Sequence, residues 1–391
     1  MKRALLPCIV SMATLLVSCD RGGNKDQASG DGQAVTEAQV VEHYAKLVSA
    51  TYGDALNQAR AMQQDIEAFL SGPTAELLEK ARDSWTAARI PYLQTEVFRF
   101  YEGPIDDEDG PEGLLNAWPM DEAYIDYVEG DASSGVVNNA TDYPEIDAKL
   151  IESLNEKDGE ANISCGYHAI EFLLWGQDLS ADGPGARPHT DYTTGENAER
   201  RSEYLRAVTG FLVAKLEEVE AEWAPGKENY RSGFLKMPSR EAIEKIMTGM
   251  SMLSGFEMAS ERLNVAYDTK AQEDEHSCFS DTTHNDMIYD LTGIANVWSG
   301  SYGDLSGPGL GTLAGQIAPD LSTSLGAKIK ASVEAARAIP VPFDQAILGE
   351  DDAPGRRAIL NTIETLEDQA ELLVALGKEM GFGVPISEGE E

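Results

Sequence analysis

Apolar residues recur at helical spacing over most of the chain. In 36–70 one face is marked by Val40, Val41, Tyr44, Leu47, Val48, Tyr52, Leu56, Ala59, Met62, Ile66 and Phe69, the period of an amphipathic helix. Thr36-Glu37-Ala38-Gln39 supplies a capping-box start, and "SGPT" at 71–74 a stop. A second helix is predicted over about 74–102, with a kink or short break near Arg89 because Pro91 lies inside it. Further helices are predicted at 163–176, 196–222, 239–268, 283–298, 321–338 and 355–379, while 103–160 reads as irregular with short helices. Gly/Pro-rich connectors mark 181–188, 224–233, 300–311 and 339–355, and strand alternation is nearly absent. The expected fold is all-α: two packed helical bundles, one over 36–233 and one over 234–385. A short echo between "SCGYHAIEFL" (164–173) and "LSGFEMASERL" (253–263) suggests halves related by internal duplication.

The front of the chain breaks the helical pattern. Residues 1–18 join a basic start, Lys2 and Arg3, to an apolar run too short for an ordinary transmembrane helix, the form of a secretory signal. Leu16-Val17-Ser18-Cys19 resembles the lipobox of bacterial lipoproteins, in which Cys19 would carry the lipid and begin the mature chain. Plain signal cleavage beside an incidental cysteine is the alternative. Asp20 resembles the inner-membrane retention signal of enteric bacteria, a rule that does not transfer to every lineage, so inner or outer membrane stays open. Residues 19–35 lack the large apolar side chains of a core and read as a flexible tether.

Charge narrows the partners. The chain carries 68 acidic against 30 basic residues, a formal charge of −38. That balance repels nucleic acid and anionic lipid and favours cations and basic ligands, besides conferring solubility. Of four cysteines, Cys8 leaves with the leader and Cys19 is the anchor, so Cys165 and Cys278 remain. In an oxidising compartment that pair is expected to form one disulfide, with thiolate ligation of a metal as the rival reading.

Three stretches carry candidate chemistry. In "CGYHAIEFLLWGQD" (165–178), His168 and Glu171 lie one helical turn apart in an apolar run. They are either a satisfied core pair or half of a metal site like those of carboxylate-rich bundles. In the second helix Trp85, Arg89, Tyr92, Glu96 and Arg99 form a mixed aromatic and charged stripe. It suits a buried polar site in which Glu96 is a ligand supported by Trp85 and Arg89, or a salt-bridge ladder holding Glu96 to Arg89 or Arg99. "EDEHSCFSDTTHND" (273–286) gathers carboxylates and imidazoles, with Glu275 and His284 as the candidate ligands. Such donors suit iron, zinc or manganese; as an acidic loop, the stretch would instead cap the next helix with Ser280 or Asp281. His43 is expected to be exposed. Arg187, His189 and Asp191 fall in a long connector, and "GPGLG" at 307–311 reads as a turn.

"GYHAIE" fits the G-x-H-x-x-E motif of the imelysin family, carried by Gly166, His168 and Glu171. Trp85 and Arg89 followed by Glu96, the lipoprotein-like start, and the 273–286 stretch followed by Trp298, Gly300 and Tyr302 resemble its iron-regulated lipoprotein branch. The resemblance covers about 36–385. It implies two helical bundles with the site between them, on a family first classed as insulin-cleaving metallopeptidases and later linked to iron uptake. Two functions follow. One is a binding protein on the periplasmic face of the envelope that holds a metal ion, iron or zinc, or an iron-bearing ligand, and works with other envelope iron-uptake proteins. The other is a metallopeptidase using Glu171 as ligand or base. A scaffold with a purely structural polar site is the third reading.

Overall fold

The computed structural model describes residues 34–386, Asp182 excepted. The expected leader, Cys19 and the tether up to residue 33 lie outside the described residues. From Val35 onward the chain forms one compact unit. It is predominantly helical, with a single pair of two-residue strands among the described residues. Eight α-helices of ten residues or more carry it: α1 Glu37–Ser71, α2 Ala75–Leu93, α3 Gly166–Trp175, α4 Ala198–Trp223, α5 Ser239–Met252, α6 Thr283–Ser299, α7 Pro319–Ala338 and α8 Pro354–Met380.

The capping box forms as expected. Thr36 Oγ1 accepts from Gln39 N, and Gln39 Oε1 accepts from Thr36 N at 2.9 Å. The second helix differs from expectation, because it passes Arg89 and stops at Leu93 rather than near 102. Pro91 has no N–H to continue the ladder. Two residues later the backbone leaves the helix, Thr95 donates from N and Oγ1 to Tyr92 O, and a 3₁₀ turn follows at Glu96–Phe98.

The helix predicted over 239–268 is continuous but changes its winding. After α5 the segment Leu253–Asn264 is π-helical, and Val265–Thr269 returns to α. In a π-helix the backbone closes on the fifth residue, not the fourth, so residues five apart align. Arg262 Nε accordingly donates to Glu257 Oε1 at 2.9 Å, and Ser260 Oγ to Gly255 O at 3.1 Å. The echo between 164–173 and 253–263 thus joins an α-helix to a π-helix.

In packing, α1 lies on α2 and α4, and α3 on α2 and α4. α8 lies on α7, α5 and the π segment, and α6 bridges α7 and α2. The expected boundary at 233/234 falls inside the short helix Tyr230–Phe234. His43 is buried, contrary to expectation. The hairpin Ser301–Tyr302 with Leu305–Ser306 occupies the 300–311 connector, and His43 Nε2 bonds Gly300 O at 2.8 Å. Within "GPGLG", Leu310 already begins the helix Leu310–Ile317. Among the described residues no helix is long and apolar enough to cross a membrane.

Candidate functional site

The site is built on α3, whose ten residues are all buried. Gly166 starts it with φ +87°, and a Cβ there would stand 2.7 Å from Leu115 O. Only glycine meets both demands. The close approach seats the start of α3 against the 115–118 segment, where Asn116 and Trp118 lie.

One turn on, His168 and Glu171 are fully buried and bonded to each other, Nδ1 to Oε2 at 2.9 Å. Glu171 Oε1 accepts from Ser280 N at 2.9 Å and from Ser280 Oγ at 2.7 Å, which docks the 275–282 loop on α3. Burial pushes Glu171 up to about 8 and His168 well below the usual imidazole range. The pair is therefore uncharged near neutral pH, and His168 Nε2 has no hydrogen-bond partner. Ser280 is a docking donor rather than the expected cap; the N-cap of α6 is Thr282, without a side-chain bond.

A second imidazole lies beside the first. The rings of His168 and His276 are 4.6 Å apart and nearly perpendicular, and Trp118 packs over His168 at 5.0 Å. His276 Nδ1 bonds Asp286 Oδ2 at 2.9 Å. Asp286 also accepts from Ser277 Oγ at 2.5 Å and from Arg89 Nη2 at 3.3 Å. Ser277 and Arg89 both donate to Asp286, which places Nδ1 of the neutral ring as a third donor and leaves the lone pair on Nε2. Burial and Arg262 hold His276 well below the usual imidazole range.

Arg89 stands at the centre of this wall. It donates to Asn116 Oδ1 as well as to Asp286, and lies 5.1–5.7 Å from the Tyr167, Tyr92 and Trp85 rings. Trp85 Nε1 donates to Tyr167 O at 2.9 Å. Trp85 thus bonds the backbone of α3, and Arg89 ties Asn116 to Asp286. Glu96 does not join it. Its Oε2 is held by Arg262 at 2.6 Å and Arg99 at 2.8 Å, and Arg262 also reaches Asp290 and Glu257, both at 2.7 Å. Burial alone would raise Glu257, but Arg262 and Arg99 bring it to about 2.

Above this wall opens a cavity of about 370 Å³. His276, Trp118 and Asn116 are among its lining residues, as are Arg99, Arg262 and Phe256 of the arginine network and π segment.

A separate acidic corner lies behind the loop. Glu275 is fully buried and neither carboxyl oxygen is hydrogen-bonded. Burial lifts it to about 9, with Asp344 and Asp281 adding to the shift. Asp281, half-buried at φ +55°, is lifted to about 7 by burial and by Asp178 and Asp344. Burial lowers half-buried His284, whose Nδ1 is unbonded.

The expected disulfide is absent: Cys165 and Cys278 are free, buried thiols. Cys165 is the N-cap of α3 and donates to Asn155 Oδ1 at 3.2 Å. Cys278 instead adjoins Phe279, whose ring packs on Phe172, and lines a cavity with Gln177 and Asp178 beyond the end of α3. The two sulfurs have different neighbours along that helix, where a bridge would need Cα atoms within about 7 Å.

The model of the imelysin family matches residues 48–373. The chain belongs to the imelysin family. It is 24% identical over 330 residues to iron-regulated protein A of Synechococcus elongatus, covering 81% of this chain and 80% of that protein. Among solved structures it is similar to a candidate iron-regulated protein A precursor from Parabacteroides distasonis, with a TM-score of 0.69, 19% identity, and 90% and 97% of the two chains covered. It is also similar to an imelysin-like protein from Psychrobacter arcticum, with a TM-score of 0.64, 14% identity, and 90% and 99% covered. At those identities the two structures bear on the fold.

The imelysin motif therefore lies where the sequence puts it, but the five expected ligands do not assemble. His168 and Glu171 meet the 275–286 segment through Ser280 and His276. Glu96 is taken by arginines, Glu275 joins the acidic corner, and His284 lies apart from the His168–His276 pair. Among the described residues no group of three or more His, Cys, Asp or Glu side chains is placed to hold a metal ion. What fits a metal is His276 alone, a neutral imidazole with a carboxylate behind Nδ1. His276 lies in the 273–286 stretch but is not singled out there as a ligand; Trp118, Asn116 and Arg262 are the residues the sequence reading missed. For Arg262 a signal existed, the five-residue step from Glu257, which no α-helical face explains.

Proposed function

We propose that this imelysin family member is an envelope binding protein with an iron-related role, and that the cavity beside His276 and Trp118 is its binding site. The observation that carries the reading is His276: buried, neutral, backed by Asp286, with Nε2 unbonded within the described residues, in the wall of a 370 Å³ cavity. A carboxylate behind an imidazole is the arrangement that orients metal-binding histidines. The names of its relatives support the iron connection. The lipobox-like start supports anchoring to the membrane through a lipid on Cys19, facing the periplasm, where other envelope iron-uptake proteins would be its partners. Iron is then cargo rather than a resident cofactor. Peptidase chemistry fits less well, because burial keeps Glu171 protonated below about pH 8, and a protonated carboxyl is a poor general base.

Calorimetric titration of the purified protein with iron complexes tests the site. Wild type should bind, and His276→Ala should bind at least about tenfold more weakly, with Asp286 still held by Arg89 and Ser277. Failure of every iron titrant to bind, or equal binding by the variant, overturns the proposal. A peptide-cleavage assay with and without chelator should show no chelator-sensitive turnover. For the anchor, Cys19→Ser should move the protein out of the membrane fraction; unchanged partitioning overturns that part.

A further inference from the structure

Resting on the reading of the cavity as the binding site, we infer that the π-helical segment Leu253–Asn264 is a movable wall of that cavity, and that Glu96 is a positioning residue that holds the wall in its present winding through Arg262.

The wall is a π face. Phe256, Glu257, Glu261 and Arg262 all line the cavity. They form two pairs five residues apart, 256 with 261 and 257 with 262. At 3.6 residues per turn, residues five apart on an α-helix point about 140° away from each other. An α-wound segment would therefore turn one member of each pair out of the cavity. The π register brings all four to it, so the winding sets the shape of the site.

The winding is imposed from outside the segment. π-helices are rare and mostly single turns within α-helices, whereas this run covers 12 residues. Both flanks are α-helical, α5 before it and Val265–Thr269 after it, so neither propagates a π register. At its start the segment is seated by packing. Gln369 of α8 donates to Ser254 Oγ at 2.6 Å, and a Cβ on Gly255 would stand 2.9 Å from Ile386 and 3.0 Å from Ala370. Its last turn is tied by Arg262, which sends each of its nitrogens to a different carboxylate. Nε donates to Glu257 at 2.9 Å, Nη1 to Asp290 at 2.7 Å and Nη2 to Glu96 at 2.6 Å. The Glu257 bond closes only in the π register, and the planar guanidinium makes the other two directional.

Those two bonds fasten the wall to fixed elements. Asp290 lies on α6, one turn from the Asp286 that bonds His276 Nδ1. His276 and the π wall thus hang on the same helix. Glu96 lies in the 3₁₀ turn after α2, is buried, and is not among the residues that line the cavity. Its Oε2 receives both Arg262 and Arg99 Nη1. A residue that cannot touch the ligand therefore fixes the side chain on which the cavity's winding depends.

Amide hydrogen exchange on the purified protein tests this without any ligand. In wild type the amides of Leu253–Asn264 should exchange by local opening, at least about tenfold faster than those of α8. Glu96→Gln keeps the size and removes the charge. It should speed exchange in Leu253–Asn264 by about a further tenfold, the loss of a charge-assisted hydrogen bond, and leave α1, α4 and α8 unchanged. By calorimetry the same variant should bind ferric citrate or a ferric dihydroxamate at least about fivefold more weakly than wild type. Wild-type amides in the segment that open only with global unfolding overturn the inference, even if the variant folds poorly. So does a Glu96→Gln variant whose exchange rises equally along the whole chain, as a merely structural role would give, or whose affinity for an iron complex that wild type binds is unchanged. If neither complex binds wild type, the reading of the cavity as an iron site falls, and the exchange profiles alone decide whether the wall moves.

Discussion

Two buried polar regions of this molecule are built on opposite plans. Around Asp126, between α3 and α4, every charge has an opposite partner, with Arg187 Nε left unbonded. The carboxylate accepts from Arg201 at 2.5 and 3.0 Å, from Arg187 at 2.7 Å and from Asn138 at 3.2 Å. Arg201 spends its remaining donor on the carbonyls of Asp191 and Glu196. In the corner behind the 275–282 loop, Glu275 has no bonded oxygen, Asp281 and Asp344 each leave Oδ1 unbonded, and no guanidinium faces them. The first region holds its charges by pairing them; in the second, burial keeps Glu275 protonated. A closed network fixes a fold, whereas open polar groups in α3 and the loop stay free to meet a ligand or a proton.

If that contrast is right, the largest effect comes from opening the closed region. Asp126→Ala leaves Arg201 buried without a carboxylate and Arg187 with only Asp191 at 3.4 Å, and should cost about 3–5 kcal/mol in urea unfolding. A loss below about 1 kcal/mol would show that the network is not holding the helices together. Next in size is the glycine that seats α3. Gly166→Ala meets both a positive φ and the Leu115 carbonyl at 2.7 Å, so a loss of about 2–4 kcal/mol is expected. An unchanged melting temperature would mean that glycine serves the motif for some reason other than backbone geometry.

The open region should reveal itself through pH. Glu171, Glu275 and Asp281 have folded values of about 8, 9 and 7, against ordinary carboxyl values near 4 unfolded. Above the unfolded value the unfolded chain gives up these protons while the folded chain keeps them. Their contribution to stability is thus complete only below about pH 4 and is lost progressively as pH rises to the folded values. Each group tilts the stability curve downward by at most about 1.4 kcal/mol per pH unit between its two values. Glu275→Gln should flatten the decline from about pH 4 up to about pH 9 and leave stability below about pH 4 unchanged. A stability that rises from pH 5 to 9 would contradict the protonated corner. The Asp126 cluster gives the opposite sign. Burial alone would raise Asp126, but Arg201 and Arg187 lower it, so its contribution fades only in acid.

How much of this was legible in the sequence follows the same divide. Helical periodicity located α1 and α3–α8 because packing one apolar face is a repeating, local demand, and the capping box at Thr36 formed as read. Proline chemistry was legible in kind but not in place, since the backbone tolerated Pro91 and left the helix only after Leu93. The motif residues Gly166, His168 and Glu171 were legible, as was the convergence of α3 with the 273–286 stretch. What could not be read was which carboxylate meets which cation. Glu96 finds Arg262 from 166 residues away, through a π-helical winding that no periodicity announces. His43 misled for a similar reason: its cover is a hairpin 257 residues on.

The smallest expected effect settles the cysteines. A disulfide between Cys165 and Cys278 would close a loop of over a hundred residues, worth roughly 4–5 kcal/mol by chain entropy. Two free thiols give no such term. Reducing agent should therefore change the unfolding free energy of the mature protein by less than about 0.5 kcal/mol, and Cys278→Ala should cost only about 1 kcal/mol, the loss of one small buried group. Both thiols should react in full when the non-reduced protein is unfolded and labelled. In the folded protein both should react slowly, because burial raises Cys165 and Cys278 alike above the range where thiolate forms. Absence of label from unfolded, non-reduced protein, together with a loss of several kcal/mol on reduction, would restore the bridge. It would also require α3 and the loop to pack differently, since Cys165 now donates to Asn155 while Cys278 lies beyond Phe172.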